Sequence, residues 1–131
     1  MDDSSRETIL VIDDEPGIAD LISDFCSEMG YTVHTLTRGD NALETVKALK
    51  PQLITLDLQM PDTDGFELLK ALKSDPETAH IPVIVVSILA GEAERQGLLA
   101  AAQAILAKPI NFRKLRDKVD QYAKDKPSGS G

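Results

Sequence analysis

Cysteine is almost absent from this chain, since Cys26 is the only one among 131 residues. An internal disulfide is therefore impossible, and a reducing cytoplasm is the expected location. No apolar run approaches the roughly 18 residues that a membrane span needs, so no membrane insertion is expected. Acidic residues outnumber basic residues, and the resulting net charge of −8 disfavours direct binding of nucleic acid. A metal cation or a basic partner surface fits that charge better.

The composition that is present describes an ordinary globular protein, with 42% hydrophobic and 27% charged residues. The length suits a single domain, which we place at residues 7–124. The last residues, 125–131, are rich in serine and glycine, and this composition is typical of a flexible tail, a linker or a cloning scar.

Five short apolar runs alternate with helical patterns along the chain. The runs are TILVI (8–12), YTVHTL (31–36), QLITL (52–56), PVIVV (82–86) and AILA (104–107). Their length and their aliphatic or β-branched residues are typical of strands. Five helices are expected after them, and residues 91–102 form the weakest because Gly97 interrupts an alanine-rich segment. This alternation predicts an α/β fold, a parallel sheet covered on both faces.

Chemically reactive side chains follow four of the five runs. Asp13 and Asp14 come after the first, Asp57 after the third, Ser87 after the fourth and Lys108 after the fifth. In open α/β sheets, ligands bind beyond the carboxyl ends of the strands, so these side chains are expected to converge. Taken singly, an acid near a helix start is as often a cap, and the serine and lysine are ordinary surface residues.

Three carboxylates in one cleft repel one another unless a cation neutralises them. Mg²⁺ is the fitting ion, because it prefers oxygen ligands and keeps several of its waters. Each of these residues taken alone has an ordinary structural explanation, and these explanations are independent of one another. A magnesium site, by contrast, accounts for all of the acids together.

The chain resembles the receiver domain of two-component response regulators. The resemblance rests on LVIDDEP at 10–16, LDLQMPDTDG at 56–65, Ser87 after VV, and Lys108-Pro109 after Ala107. It implies a flavodoxin-like, doubly wound sheet of five parallel strands in the order 2-1-3-4-5. Five helices would cover both faces of that sheet.

The resemblance also implies a function, which is signal transduction by phosphorelay. Asp57 would accept a phosphoryl group from a histidine kinase or a histidine phosphotransfer protein. Mg²⁺ would bind Asp14, Asp57, the backbone carbonyl of Gln59 and, through water, Asp13. The protein would be a phosphoacceptor switch and not a turnover enzyme, catalysing only its own phosphoryl transfer and slow self-dephosphorylation.

Two further roles follow from the same resemblance. Lys108, held by a cis peptide bond to Pro109, would neutralise charge on the transferring oxygens, and Ser87 would donate a hydrogen bond to the phosphoryl group. The surface of the fourth helix, fifth strand and fifth helix would then change and bind an effector or a second copy. The output is open: a stand-alone protein, a phosphate shuttle or one domain of a longer chain.

Two positions depart from the family pattern. Ile105 replaces the usual aromatic residue three positions before Lys108, so signal relay is expected to rest on Ser87 and the fourth helix. The residue after Ser87, which is usually small in the family, is Ile88 here, and Leu89 follows it. We expect Leu89 to cover the approach of the hydrolytic water and to prolong the phosphorylated state.

Three other functions compete with this interpretation. A haloacid dehalogenase-type phosphatase needs an acid two residues after its aspartyl nucleophile, where this chain has Gln59. A flavin or nucleotide carrier needs a phosphate-binding loop after the first strand, where the acids would repel phosphate. A receiver that serves only as a protein-binding scaffold would lack phosphorylation, although all of its site residues are present.

Overall fold

The computed structural model describes residues 8–123, in which five strands alternate with helices. In chain order the elements are β1 (Thr8–Ile12), α1 (Pro16–Glu28), β2 (Thr32–Leu36), α2 (Ala42–Leu49), β3 (Leu53–Leu56), α3 (Gly65–Ser74), β4 (Val83–Ser87), α4 (Ala90–Arg95), a 3₁₀ turn (Leu98–Ala100), β5 (Ala104–Ala107) and α5 (Phe112–Ala123). Each strand lies within one residue of its predicted bounds.

The strands form one parallel sheet in the order β2-β1-β3-β4-β5. The central strands β1, β3 and β4 are almost fully buried, and their side chains alternate between two hydrophobic clusters. Helices α2, α3 and α4 pack on one face of the sheet, and α1 and α5 pack on the other. The predicted flavodoxin-like fold is therefore confirmed.

Helix α1 buries a narrower stripe than its sequence pattern indicates. Its buried residues are Ala19, Ile22 and Cys26, which recur at helical spacing on one side. In the sequence, the apolar helical pattern consists of Ile18, Leu21, Ile22, Phe25 and Met29. Leu21 is nevertheless 53% exposed because it lies about 100° around the helix from Ile22. Cys26 is a buried core residue, and its burial raises the pKa of the thiol to about 12.

Helix α4, which the sequence predicts to be the weakest, is also short, and Gly97 accounts for where it ends. The α-helical part stops at Arg95, and Gly97 adopts a left-handed conformation with φ of 77°. Glycine takes up this backbone geometry without the penalty that a side chain brings. The predicted helix over 91–102 is therefore divided into one α-helical segment and a separate 3₁₀ turn.

The expectations for the ends of the chain lie outside the part that the structure describes. Residue 7, residue 124 and the tail 125–131 all fall there. Within residues 8–123, no helix has both the length and the apolar character that crossing a membrane requires.

Gly65 lets the first turn of α3 pack directly against the backbone that follows β3. A Cβ atom at this position would overlap Leu58 Cα and would lie 2.7 Å from Leu58 O. We expect Gly65→Ala to lower the free energy of unfolding by about 1–3 kcal/mol, because backbone cannot move aside as a side chain can. Urea unfolding measures this change.

Gly17→Ala is the matched control for this prediction. A Cβ at Gly17, in the first turn of α1, would meet nothing within 4 Å. Alanine is the better helix former by up to about 1 kcal/mol, so this variant should equal or exceed the wild type in stability. Equal stabilities of the two alanine variants would contradict the close packing at Gly65.

Candidate functional site

The carboxyl ends of β1 and β3 lie side by side, and an aspartate follows each of them. The amide of Asp13 donates to Leu36 O at 3.0 Å, and the amide of Asp57 donates to Ile12 O at 2.9 Å. These bonds continue the hydrogen-bond ladders beyond the last residues of the strands. Both aspartates are therefore fixed by the sheet, at the edge where open α/β folds bind their ligands.

Asp13, Asp14 and Asp57 form the carboxylate cluster that the sequence predicts. One oxygen atom from each lies within 4.8 Å of the others. Asp13 is 1% exposed and Asp57 is 4% exposed, whereas Asp14 is half-buried. The amide of Glu15 donates to Asp13 Oδ1 at 3.0 Å, and the amide of Gln59 donates to Asp57 Oδ1 at 3.1 Å. These contacts turn the two loops and leave each Oδ2 atom for other partners.

Lys108 follows β5 directly and brings a positive charge to this cluster. Its Nζ atom lies 2.9 Å from Asp13 Oδ2, 3.2 Å from Asp57 Oδ2 and 3.0 Å from Glu15 Oε1. The peptide bond to Pro109 is cis, in agreement with the family pattern. An ammonium group has three N–H donors, so these three carboxylates can engage all of them.

Burial and pairing change the pKa values of these groups. Desolvation is the largest influence on Asp13 and raises its pKa, although the Glu15 amide and Lys108 act in the opposite direction. Desolvation would lower the pKa of Lys108, but its bonds to Asp13 and Glu15 and the charge of Asp57 outweigh this and raise it. Lys108 is therefore a cation at neutral pH, whereas burial makes the charge of Asp13 costly.

A cleft of about 470 Å³ opens the carboxylate cluster to solvent. Its walls are formed by Asp14, Glu15, Asp57, Gln59, Met60, Pro61, Ile88 and Lys108. This volume is within the range of small-molecule sites in proteins. A hydrated cation and a small anion can therefore reach Asp57 from outside.

Ser87, like Asp13, is a predicted site residue that does not line this cleft. It is the last residue of β4 and is fully buried. Its Oγ atom accepts a hydrogen bond from the amide of Leu89 at 3.0 Å. The expected convergence thus holds for the acids and the lysine, while the hydroxyl caps its own loop because a backbone N–H lies within its reach.

Ile88 and Leu89 occupy different places from those expected. Leu89 packs against the core on the α3 side, beside Leu58 and Phe66. Ile88 is 64% exposed and lines the cleft. The expectation that Leu89 covers the approach to Asp57 is therefore wrong for this structure, because the turn after β4 directs Ile88 to that position.

Glu15 is the residue of this site that sequence reasoning missed. The pattern before Pro16 indicates a helix cap, and Glu15 does occupy the position before α1. Its side chain makes no capping hydrogen bond, and instead its carboxylate contacts Lys108. Asp64, by contrast, caps α3, and its side chain accepts a hydrogen bond from the amide of Phe66 at 2.9 Å. The adjacency of Glu15 to the two aspartates was the available signal.

Comparison with known proteins identifies a family for this arrangement. The family model of the response regulator receiver domain matches residues 9–120. The transcriptional regulator RpaA of Synechocystis is 36% identical over 85% of this chain, and the response regulator PleD of Caulobacter vibrioides is 39% identical over 79%. The chain spans only 46% and 23% of these relatives. It spans 98% of the response regulator DivK of Brucella anthropi, with 32% identity.

Solved structures agree with this result. A sensor protein from Polaromonas superposes with a TM-score of 0.84 and 31% identity, covering 90% of this chain and 96% of that one. The chemotaxis response regulator CheY4 of Vibrio cholerae has a TM-score of 0.79 and 25% identity, with coverages of 89% and 98%. The solved structures therefore agree with the family model.

Lys108→Met tests the electrostatics of the cluster without any ligand. Removing the ammonium leaves Asp13 and Asp57 buried without a counter-charge, so we expect the free energy of unfolding at pH 7 to fall by about 2 kcal/mol or more. Without Lys108 the pKa of Asp13 in the folded state rises further, so Asp13 takes up a proton more readily as the pH falls. The loss of stability should therefore shrink on acidification. Urea unfolding in magnesium-free buffer at several pH values measures this.

Lys70→Met is the control for that experiment. Lys70 forms an exposed pair with Glu67 at 3.4 Å, so its removal should change the stability by less than about 0.5 kcal/mol at any pH. A Lys108→Met variant as stable as this control would show that the ammonium does not offset the buried acids.

Proposed function

This chain belongs to the response regulator receiver domain family of two-component signalling, and we propose that it accepts a phosphoryl group on Asp57 from a phosphohistidine of a partner protein. One observation carries the proposal. Asp57 reaches the floor of an open cleft from the end of β3, with one oxygen on a backbone N–H and the other on Lys108. A carboxylate so fixed, and otherwise open to the cleft, is placed to act as a nucleophile.

The donor set of the cluster fits Mg²⁺. The three carboxylate oxygens lie within 4.8 Å of one another, near the span that one ion with Mg–O bonds of about 2.1 Å bridges. Asp14 and Asp57 would hold the ion directly, together with the backbone carbonyl of Gln59, and Asp13 would act through water. A bound Mg²⁺ supplies charge neutralisation for the transferring phosphoryl oxygens.

Asp57 and Lys108 would carry out the transfer itself. A carboxylate oxygen of Asp57 attacks phosphorus, the P–N bond of the donor breaks, and its electron pair leaves with the imidazole, which takes up a proton from solvent. Lys108 is close enough to Asp57 to donate a hydrogen bond to an oxygen of the transferred group. Such preorganised positive charge is the main contribution of a protein to phosphoryl transfer.

Ser87 is the proposed link between the site and the surface. In the structure Ser87 is fully buried and does not line the cleft, so donating its hydroxyl proton to a phosphoryl group requires a change in its rotamer or in the β4–α4 loop. That loop leads directly into the short helix α4. The absence of an aromatic residue at Ile105 leaves this route as the proposed relay.

The proposed partners follow from the family. A histidine kinase or a histidine phosphotransfer protein would be the donor, and the cytoplasm the location. An effector or a second copy would bind the face of α4, β5 and α5, where a groove of about 460 Å³ is present. The groove is lined by Ala90, Gly91, Glu94, Ile105, Leu106, Ala107, Pro109, Asn111 and Lys114.

Asp57→Asn tests the identity of the acceptor. With acetyl phosphate and Mg²⁺, intact-mass measurement should show one phosphoryl adduct on the wild type and none on Asp57→Asn. Chelation of Mg²⁺ with EDTA should abolish the label on the wild type. Asp20→Asn, which removes an exposed acid of α1, should label like the wild type. Undiminished labelling of Asp57→Asn would refute the acceptor, and no labelling at all would favour a non-phosphorylated scaffold.

Ser87→Ala separates phosphorylation from relay. The variant should still accept phosphate on Asp57, because the hydroxyl orients and does not attack. Hydrogen exchange with and without beryllofluoride, a phosphoryl mimic, should show a much smaller change over residues 88–110 than in the wild type. Ser87→Thr retains a hydroxyl and should respond like the wild type. Equal responses of the alanine variant and the wild type would exclude Ser87 as the coupling residue.

The lifetime of the phosphorylated state should depend on Ile88. An exposed aliphatic side chain at the cleft offers no hydrogen bond to orient a hydrolytic water. We expect Ile88→Asn to lose the label about tenfold faster after the donor is removed, since a positioning interaction is worth roughly that in rate. Leu89→Asn should leave the decay nearly unchanged because Leu89 faces the core. The reverse order of the two variants would restore Leu89 as the covering residue.

A further inference from the structure

Glu15 is the exposed member of the three carboxylates that hold Lys108. Its side chain is 59% exposed, whereas those of Asp13 and Asp57 are 2% and 5% exposed. The contact joins the start of α1 to the end of β5, between residues that are 93 positions apart in the chain. Both residues line the cleft that leads to Asp57.

The local sequence does not require this orientation of Glu15. At the position before a helix, an acidic side chain commonly bonds to free N–H groups of the first turn. Glu15 makes no such bond. The interaction with Lys108 is accordingly the one polar side-chain contact that the structure gives for the Glu15 carboxylate within residues 8–123.

Lys108 Nζ lies within 3.2 Å of three carboxylate oxygens, as many as its ammonium group has N–H donors. A phosphoryl oxygen on Asp57 can gain a hydrogen bond from Lys108 only if one of these carboxylates gives up its own. Exposed ion pairs contribute about 0–1 kcal/mol, whereas breaking a buried pair costs several. Of the two carboxylates that stay anionic when Asp57 reacts, the exposed Glu15 therefore gives up its bond more easily than the buried Asp13.

We propose that Glu15 is a positioning residue that holds Lys108 in the unphosphorylated site and is displaced from it by the incoming phosphoryl oxygen. Its carboxylate occupies the donor of Lys108 that the phosphoryl group needs, so it slows phosphorylation and weakens binding of phosphoryl mimics. The inference rests on the proposed phosphorylation of Asp57. It adds a residue of this chain that tunes how readily the site accepts its group.

Three variants distinguish this role from a general effect of charge. Glu15→Gln keeps the size of the side chain and removes its charge. Glu15→Asp keeps the charge, but its side chain is one methylene shorter and should lose the contact with Lys108 Nζ. Asp20→Asn removes one charge from the exposed face of α1, without any contact with Lys108. Urea midpoints close to that of the wild type exclude altered folding.

The measurement is the initial rate of Asp57 labelling by acetyl phosphate at saturating Mg²⁺. In this reaction an Asp57 oxygen bonds to phosphorus, and acetate leaves with the electrons of the broken P–O bond. The dissociation constant of beryllofluoride from calorimetry is the second readout. We expect Glu15→Gln and Glu15→Asp to label about two- to fivefold faster than the wild type and to bind beryllofluoride correspondingly more tightly, while Asp20→Asn changes little.

Two results would overturn the inference while leaving the proposed function intact. If Glu15→Gln labels no faster than Asp20→Asn, Glu15 does not restrain Lys108. If Glu15→Gln is fast but Glu15→Asp matches the wild type, the effect is repulsion of the anionic donor and not the hold on Lys108. Failure of the wild type to label at all would refute the proposed function itself, and the inference with it.

Discussion

Three carboxylates share a single ammonium group in this protein, and the arrangement of the site depends on that shared bond. Lys108 draws together the loops after β1, β3 and β5, through Asp13, Glu15 and Asp57. The charges do not balance, because Asp14 adds a fourth carboxylate to the same group. At about 4 Å, two like charges near a protein surface repel by roughly 4 kcal/mol. One lysine cannot offset all of these acids, so the site has an unmet demand for positive charge.

The fold creates this concentration of charge by placing β1 between β2 and β3. Adjacent parallel strands end at the same edge of the sheet, so the residues that follow them lie next to each other. Asp13 and Asp57 are each fixed by one further ladder hydrogen bond. Gly65 then allows α3 to approach the chain just beyond Asp57 without a side chain in between. The acids are thus held by backbone structure, which does not relax to separate them.

Much of this could be predicted from the sequence, because strand runs and the residues after them determine which side chains share an edge. The positions of Asp57 and Lys108 in the cleft follow from that rule. The features that could not be predicted depend on side-chain rotamers and on which of two neighbouring residues faces the cleft. Hydrophobic character alone does not indicate that Ile88 lines the cleft while Leu89 packs inward, and the bond that Ser87 accepts depends on the exact turn after β4. The Glu15 contact was missed because its partner is distant in sequence.

Magnesium-dependent stability tests the central claim most directly, namely that this cluster of acids is held together for a divalent cation. The free energy of unfolding should be measured by urea titration over a range of Mg²⁺ concentrations, in the wild type and in Asp57→Asn. An ion that binds only the folded state raises stability with the logarithm of its concentration once binding is saturated. We expect this rise for the wild type and a much smaller one for Asp57→Asn. A free energy of unfolding of the wild type that does not change with Mg²⁺ concentration, or an equal rise in both proteins, would contradict the proposed magnesium site.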